Sequence, residues 1–347
     1  MNEAPSFSPV CPTPDKPGET VELGHGSGGR LTHDLIESVF RPAFAHCETD
    51  LTHDGAELEI GGARLAFTTD SYVVQPLFFP GGDIGTLAVN GTVNDLAMCG
   101  ARPLALSCGF VIEEGYPLAE LRRVAHSMQA AASATGVRLV AGDTKVVERG
   151  KGDGLYINTS GVGEIVAPLP VAPGRVRPGD AILLSGDIGR HGMAVMSARE
   201  DLGFDPPILS DCAALHSPVL RLIEEGIDIH CLRDCTRGGL ATALIEIARS
   251  AGLAMKIEQN AVPVSEPVRG ACEILGLDPL YVANEGRFVA ILPGEQAEAA
   301  LSVLRDFEQN AALIGMVEAG PEAVSLRTIG GSYALDFLSC EQLPRIC

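Results

Sequence analysis

Residues Asp83–Gly100 read "DIGTLAVNGTVNDLAMCG". Leu87, Val89, Val93, Leu96 and Ala97 recur at helical spacing, and Gly100 stands where such a helix stops. On either side the period changes. Upstream, "LEIGGARLAFTTDSYVV" (58–74) reads as two strands around a Gly-Gly turn. Downstream, "ALSCGFVI" (105–112) is a strand and "PLAELRRVAHSMQAAASATG" (117–136) an amphipathic helix closed by glycine. "VRLVAGDTKVV" (137–147) and "GLYINTSGVGEI" (154–165) read as two more strands. The first unit is therefore α/β.

The four prolines of "VAPLPVAPGRVRPGD" (166–180) interrupt every period and mark a linker. Beyond it "AILLSGDIG" restarts a strand, "HGMAVMSARED", "SPVLRLIEEG" and "GGLATALIEIARSAG" read as helices, and "LYVANEGRFVAIL" (280–292) reads as a strand pair. "EQAEAALSVLRDFEQN" is a further helix, and "VSLRTIGGSYALDFL" a hairpin around Gly330 and Gly331. The expected organisation is a Pro-rich disordered lead over 1–19, an N-terminal α/β domain over 20–165 and a linker over 166–180. A C-terminal α/β domain over 181–335 and a tail over 336–347 complete it.

The chain has 347 residues, 46% of them apolar, with 45 acidic against 25 basic residues and a formal charge of −20. That balance argues against nucleic acid and anionic membrane as partners, which need basic patches. No stretch approaches the roughly 20 uncharged apolar residues of a membrane span, and the start has no apolar core of a signal peptide. A cytoplasmic location is expected, and the ten cysteines, without a C-x-x-C pair, read as reduced thiols. "HCLRDC" (230–235) lacks the second ligand pair that a zinc site would need.

Acids recur where apolar strands run out: Asp70 in "TTDSYVV", Asn94 and Asp95 in "VNDLAM", Asp143, Thr144 and Lys145 in "AGDTKVVERG". α/β proteins build their sites at such places, and converging carboxylates suit Mg²⁺ bridging to phosphate. "LGHGSGGRLTHDLI" puts His25 and Ser27 in a glycine-rich run before a helical pattern. "RDCTRGGLA" puts Asp234 and Thr236 before two glycines and a helix. Both patterns suit phosphate at a helix start, although helix capping by Asp234 or Thr236 explains the second almost as well. "SGDIGRHG" adds Asp187 and His191. Glu285, in "VANEGRF", is either a solvated turn residue or a desolvated base of raised pKa. The chain then closes on "LPRIC", a thiol at its very end.

Taken in order, "HGSGG", "TTDSYVV", "VNDLAMCGA", "AGDTKVVE", "RDCTRGG", "ANEG" and "PRIC" resemble the HypE family of hydrogenase maturation proteins, from Leu23 to Cys347. That family lies within the aminoimidazole ribonucleotide synthetase and selenophosphate synthetase superfamily. The lead and Cys235, where proline or alanine is more familiar, are the departures.

The resemblance implies a two-domain aminoimidazole-ribonucleotide-synthetase-like α/β (α+β) fold, N-terminal domains pairing in a homodimer, and a mobile C-terminal tail. It implies that Cys347 receives a carbamoyl group from a carbamoyltransferase (HypF) and becomes a thiocarboxamide. ATP then phosphorylates the carboxamide oxygen, and loss of phosphate and protons leaves a thiocyanate. The cyanide passes to the iron of [NiFe]-hydrogenase on a HypC–HypD scaffold. ATP and Mg²⁺ are the implied cofactors, with Asp70, Asp95, Asp143 and Asp234 as metal ligands. His25, Ser27, Asn94, Thr144, Asp187, His191 and Thr236 are placed around the nucleotide, Lys145 as a stabilising cation and Glu285 as the base. The alternatives are another ATP-dependent ligase or kinase of the superfamily, or a non-catalytic adaptor; neither has a chemical use for the terminal thiol.

Overall fold

The computed structural model describes residues 20–44, 53–338 and 343–347; the lead over 1–19 and residues 339–342 of the tail lie outside them. After a 3₁₀ turn at Leu23–Gly26, α1 (Arg30–Leu35) runs through a π turn into α2 (Arg41–Ala43). The first sheet is built from β1 (Ala56–Ile60) and β2 (Ala63–Tyr72), followed, after the short β3 (Phe78–Phe79) and β4 (Gly82–Asp83), by α3 (Ile84–Met98) and β5 (Ala101–Glu113). α4 (Leu118–Thr135), β6 (Arg138–Val147) and β7 (Leu155–Ile165) complete it. Its order is β1-β2-β7-β5-β6, antiparallel except for β5 and β6, which α4 joins as parallel neighbours.

Asp83 caps α3, its carboxylate accepting from the N–H groups of Gly85 and Thr86 at 2.8 and 2.9 Å. Thirteen of the 15 residues of α3 are buried, because it lies on the sheet and beneath the second unit at once. That explains why its apolar residues run all round it rather than along one stripe. Gly91 is required by a close approach: a Cβ there would lie 2.2 Å from the Tyr72 hydroxyl. α4 shows the opposite pattern, burying only Val124, Met128 and Ala132, and ends on left-handed Gly136.

The second unit follows a 3₁₀ turn at Pro173–Arg175. It comprises β8 (Asp180–Leu184), α5 (Arg190–Glu200), α6 (His216–Glu224), β9 (Cys231–Asp234), α7 (Gly239–Ala251), β10 (Ala254–Glu258), α8 (Glu266–Leu275), β11 (Phe288–Pro293), α9 (Ala297–Phe307), β12 (Ala312–Glu318), β13 (Ala323–Thr328) and β14 (Gly331–Leu335). The seven strands order as β14-β13-β10-β12-β8-β11-β9. The hairpin at Gly330 and Gly331 forms as expected, as β13 and β14. "LYVANEGRFVAIL" does not make a strand pair. Only Phe288–Pro293 is a strand, and Val282–Arg287 is a buried loop. Asn284 replaces the missing ladder there: its amide oxygen accepts from Gly189 N–H at 2.6 Å, and its nitrogen donates to the Cys235 and Val282 carbonyls.

Two segments cross between the units. The glycine-rich run lies against the second unit: Arg237 donates to the Gly26 carbonyl at 2.9 Å, and Arg30 pairs with Asp336. The chain end returns to the first unit, as described next.

Candidate active site

β9 ends in Asp234, whose carboxylate stands beside those of Asp95, from α3, and Asp54, just before β1; one oxygen of each lies within 4.8 Å of the others. Burial, with Asp70, Asp234 and Asp54 around it, pushes the Asp95 carboxyl well above the usual range, although the Thr68 hydroxyl donates to it at 2.7 Å. Burial and Asp54 push Asp234 up likewise, against the opposing charge of Arg233. One oxygen of Asp54 is buried without a hydrogen bond among the described residues, while the other pairs with Arg233 at 2.9 Å. Three desolvated carboxylates that repel one another and leave an oxygen orphaned fit a hard divalent cation such as Mg²⁺.

Around this cluster opens a polar cavity of about 230 Å³ whose wall includes Asp70, Thr236, Arg237, Glu285 and Cys347. Asp70 accepts from the Tyr72 hydroxyl at 3.1 Å. Thr236 donates to Asp234 at 3.4 Å. Glu285 is 3% exposed, one of its oxygens has no hydrogen-bond partner, and burial first, then Asp234, Asp211 and Asp70, push its carboxyl well above the usual range. It is the desolvated alternative of the two that its sequence context left open. Arg237 opposes that shift, and Cys347 is the largest influence keeping the guanidinium charged.

The chain end is docked into this cavity. Val73 N–H donates to the Cys347 carbonyl at 2.9 Å and Gln75 N–H to that of Arg345 at 3.2 Å, so the tail lies along the backbone after β2. Arg199 donates to the carbonyls of Pro344 and Arg345, both at 2.8 Å. Arg345 reaches back to the Val73 carbonyl at 3.0 Å and pairs with Asp153. Leu343 and Ile346 are buried. A smaller cavity beside Cys347 is bounded by Gly26, Ser27, Gly29 and Arg237, which brings the glycine-rich run over the thiol.

Not every residue singled out in the sequence belongs to this cavity. Asn94 is buried and fully used on protein groups: it accepts from Leu215 N–H at 2.7 Å and donates to the Ala213 and Glu285 carbonyls. Its hydrogen bonds tie the Glu285 loop to the loop around Ala213 and Leu215. Asp187 is taken up by an ion pair with Arg287 at 2.7 Å. His191 holds the tail, one ring nitrogen against Ser210 at 2.9 Å and the other against the Ile346 carbonyl at 2.8 Å. His25 folds back on its own turn, accepting from Glu22 N–H. Asp143, Thr144 and Lys145 lie on β6, the exposed edge strand, where Asp143 and Lys145 pair with each other at 2.6 Å. Within this chain they do not reach the acidic cluster.

Sequence reasoning missed Asp54, Arg199, Arg233 and Arg237 as contributors. Asp54 had a signal, an acid and a glycine directly before a strand; Arg233 and Arg237 lie within "RDCTRGGLA", where only the acid, the hydroxyl and the glycines were given roles, and Arg199 had no signal beyond its charge.

Comparison with known proteins places the chain in a family. The AIR synthase related protein family models match over residues 52–165 (N-terminal domain) and 177–326 (C-terminal domain). A "Carbamoyl dehydratase HypE" of Azotobacter vinelandii is 53% identical over 332 residues, covering 94% of this chain and 97% of its own. That of Escherichia coli is 43% identical over 334 residues, covering 94% and 99%. A solved structure described as HypE in complex with ATP superposes with a TM-score of 0.80 at 50% identity, over 94% of this chain and all of that one. One described as a HypE–HypF complex gives 0.82 at 46% identity, over 88% and 99%.

Proposed function

Because this chain belongs to the HypE family of hydrogenase maturation proteins, we propose that Cys347 carries the reacting group into the acidic cavity and Glu285 removes its protons. The protein is an ATP-dependent carbamoyl dehydratase. It converts a thiocarboxamide to a thiocyanate and so supplies cyanide ligands for [NiFe]-hydrogenase. The observation that carries the site assignment is that Cys347, Glu285 and the acidic cluster share one wall of one cavity.

Asp54, Asp95 and Asp234, with Asp70 beside them, would hold Mg²⁺. When bound, the ion would neutralise phosphate charge and let the γ-phosphoryl group be drawn toward the carboxamide oxygen. The N–H groups of Val73 and Gln75 hold main-chain oxygens of the tail, and so would fix the backbone from which the carried group projects. As the oxygen takes the phosphoryl group, one N–H proton leaves. When the C–O bond breaks and phosphate departs, the second proton leaves and the C≡N bond is complete. Glu285, desolvated and of raised pKa, is built to accept a proton there. Arg237, beside Cys347, supplies positive charge where the phosphorylated oxygen develops its own.

Lys145 and Asp143 enter through a second copy of the chain. The outer edge β6, exposed along its length, and apolar side chains left in solvent, Leu139, Val140 and Val146 among them, support a homodimer paired through the first sheets. The same surface would bring Asp143 and Lys145 toward the partner copy's cavity. HypF is the proposed carbamoyl donor, which the HypE–HypF complex supports, and a HypC–HypD scaffold the proposed cyanide acceptor. Dependence on ATP fits a cytoplasmic place of work.

The test is the mass of the C-terminal peptide after reaction with HypF, a carbamoyl donor, Mg²⁺ and ATP. A carbamoyl adduct on Cys347 that loses one water only with hydrolysable ATP is the expected result. An unmodified Cys347, with the transferase active on a control, would sink the reading. Cys347→Ala is expected to form no thiocyanate while still folding and binding ATP.

A further inference from the structure

Opposite the cavity, the Glu285–Gly286 turn rests on a loop whose role in the reaction is so far unassigned. Asp211 is 4% exposed, and one of its carboxylate oxygens accepts from the N–H groups of Glu285 at 3.2 Å and Gly286 at 3.0 Å. The carbonyl of Glu285 is gripped as well, by Ala213 N–H at 3.3 Å and by the Asn94 amide at 3.3 Å. The two backbones touch: a Cβ on Gly286 would come 1.9 Å from the Asp211 carbonyl oxygen. The loop is itself anchored. Ser210 N–H donates to the Pro80 carbonyl at 2.9 Å, and the Ser210 hydroxyl meets the His191 ring that holds Ile346.

We infer that Asp211 is a positioning residue for dehydration, fixing the turn that aims Glu285 at the group carried on Cys347. This rests on Glu285 being the base. A neutral acceptor could satisfy two N–H groups with a far smaller desolvation cost than a carboxylate. What the charge adds is its place behind Glu285. There one charged acceptor holds the N–H groups of both Glu285 and Gly286, a stronger grip on the turn than a neutral oxygen gives. The other oxygen of Asp211 is buried and has no hydrogen-bond partner among the described residues, and Asp211 also lines a separate cavity of about 560 Å³. Through Ser210 and His191 the same loop also touches the tail, so base and carrier are registered against one support.

The experiment is a double-mutant cycle on the full chain with Cys347 loaded, read as single-turnover thiocyanate formation with Mg²⁺ and ATP. Asp211→Asn is expected to slow that step about 10-fold, the size of coupling between groups in contact, with ATP affinity and melting temperature unchanged. In a Glu285→Gln background it is expected to slow the reaction no further, since the residue it serves is already gone. Asp211→Ser, smaller and still an acceptor, goes through the same cycle, so that the result does not depend on one variant folding. If Glu285→Gln alone reacts at the unmodified rate, the base assignment fails. If Glu285→Gln is slow but Asp211 substitutions multiply its deficit by the same factor as before, Asp211 acts independently of Glu285 and the inference is overturned. An unchanged rate in Asp211→Asn and Asp211→Ser overturns it too.

Discussion

Asp234 ends β9 and Asp143 lies on β6, and the sequence presents both as carboxylates where an apolar strand meets a turn. In the folded chain their surroundings are opposite. Asp234 is buried beside two other acids and pushed toward protonation. Asp143 lies in solvent, its carboxyl held below the usual range by the Lys145 ammonium next to it. The first arrangement stores repulsion that Arg233 relieves in part and a bound cation would relieve further. The second is electrostatically complete and asks nothing of its own chain. In the proposed homodimer the first set of acids would form one half of a site, and the second the surface that completes it.

That contrast can be broken most directly at Asp234. Asp234→Asn is expected to lower single-turnover dehydration by about 10²–10³-fold, the scale seen when one preorganised electrostatic group is removed. Its melting temperature without metal should hold or rise, because a repelled buried carboxylate has gone; a fall of several degrees would contradict a strained cluster. The exposed half is sharpened by complementation. Asp143→Asn alone should be impaired, yet mixing it with Asp234→Asn chains should restore turnover, since each mixed pair rebuilds one intact site. No recovery on mixing would place Asp143 outside a shared site.

Smaller effects test how the tail is held between these regions. Arg199→Leu removes charge-assisted hydrogen bonds to two tail carbonyls, each worth about 1.5–3 kcal/mol. Alkylation of Cys347 by a soluble maleimide should speed up about 10-fold; an unchanged rate would mean that those bonds do not restrain the thiol. Gly91→Ala, driven against Tyr72, should cost about 1–3 kcal/mol of stability by the general scale of overpacking, read from denaturant unfolding.

The smallest effect concerns His191. Burial depresses its pKa below the ordinary value, opposed by Asp211. The native state then binds fewer protons than the unfolded one. The stability it contributes is present above about 6.5 and lost as pH falls from there toward the lowered native value. His191→Gln should flatten that part of a melting-temperature profile; an unchanged slope would assign it elsewhere.

Much of this was readable beforehand, and the reasons are local. α4 announces itself by one apolar stripe and a left-handed glycine, and β13–β14 by a Gly-Gly turn. The motifs, taken in order, also singled out Cys347, Glu285, Asp95 and Asp234, which the fold brings to one cavity. The loop at 282–287 misled because an apolar run flanking a polar pair reads as a hairpin, whereas Asn284 supplies by side chain what a strand would supply by ladder. Asn94 stood out as the neighbour of Asp95, and Asp187 and His191 as polar residues beside glycines. Only tertiary contacts reveal that their hydrogen bonds are already spent on the protein. Asp54 escaped because its partners are 41 and 180 residues away in sequence.

The docked chain end has a further consequence. With Cys347 as the proposed carrier, the substrate would not diffuse in; it would arrive already attached, at an effective concentration on the order of millimolar or more. A Michaelis constant for the carbamoyl group has no meaning here, and saturation can be sought only in ATP. Each molecule also completes one cycle per loading and then waits to be emptied. It behaves in the cell as a reusable cartridge, and its supply of cyanide scales with the number of copies and the speed of exchange, not with how fast the bond is broken.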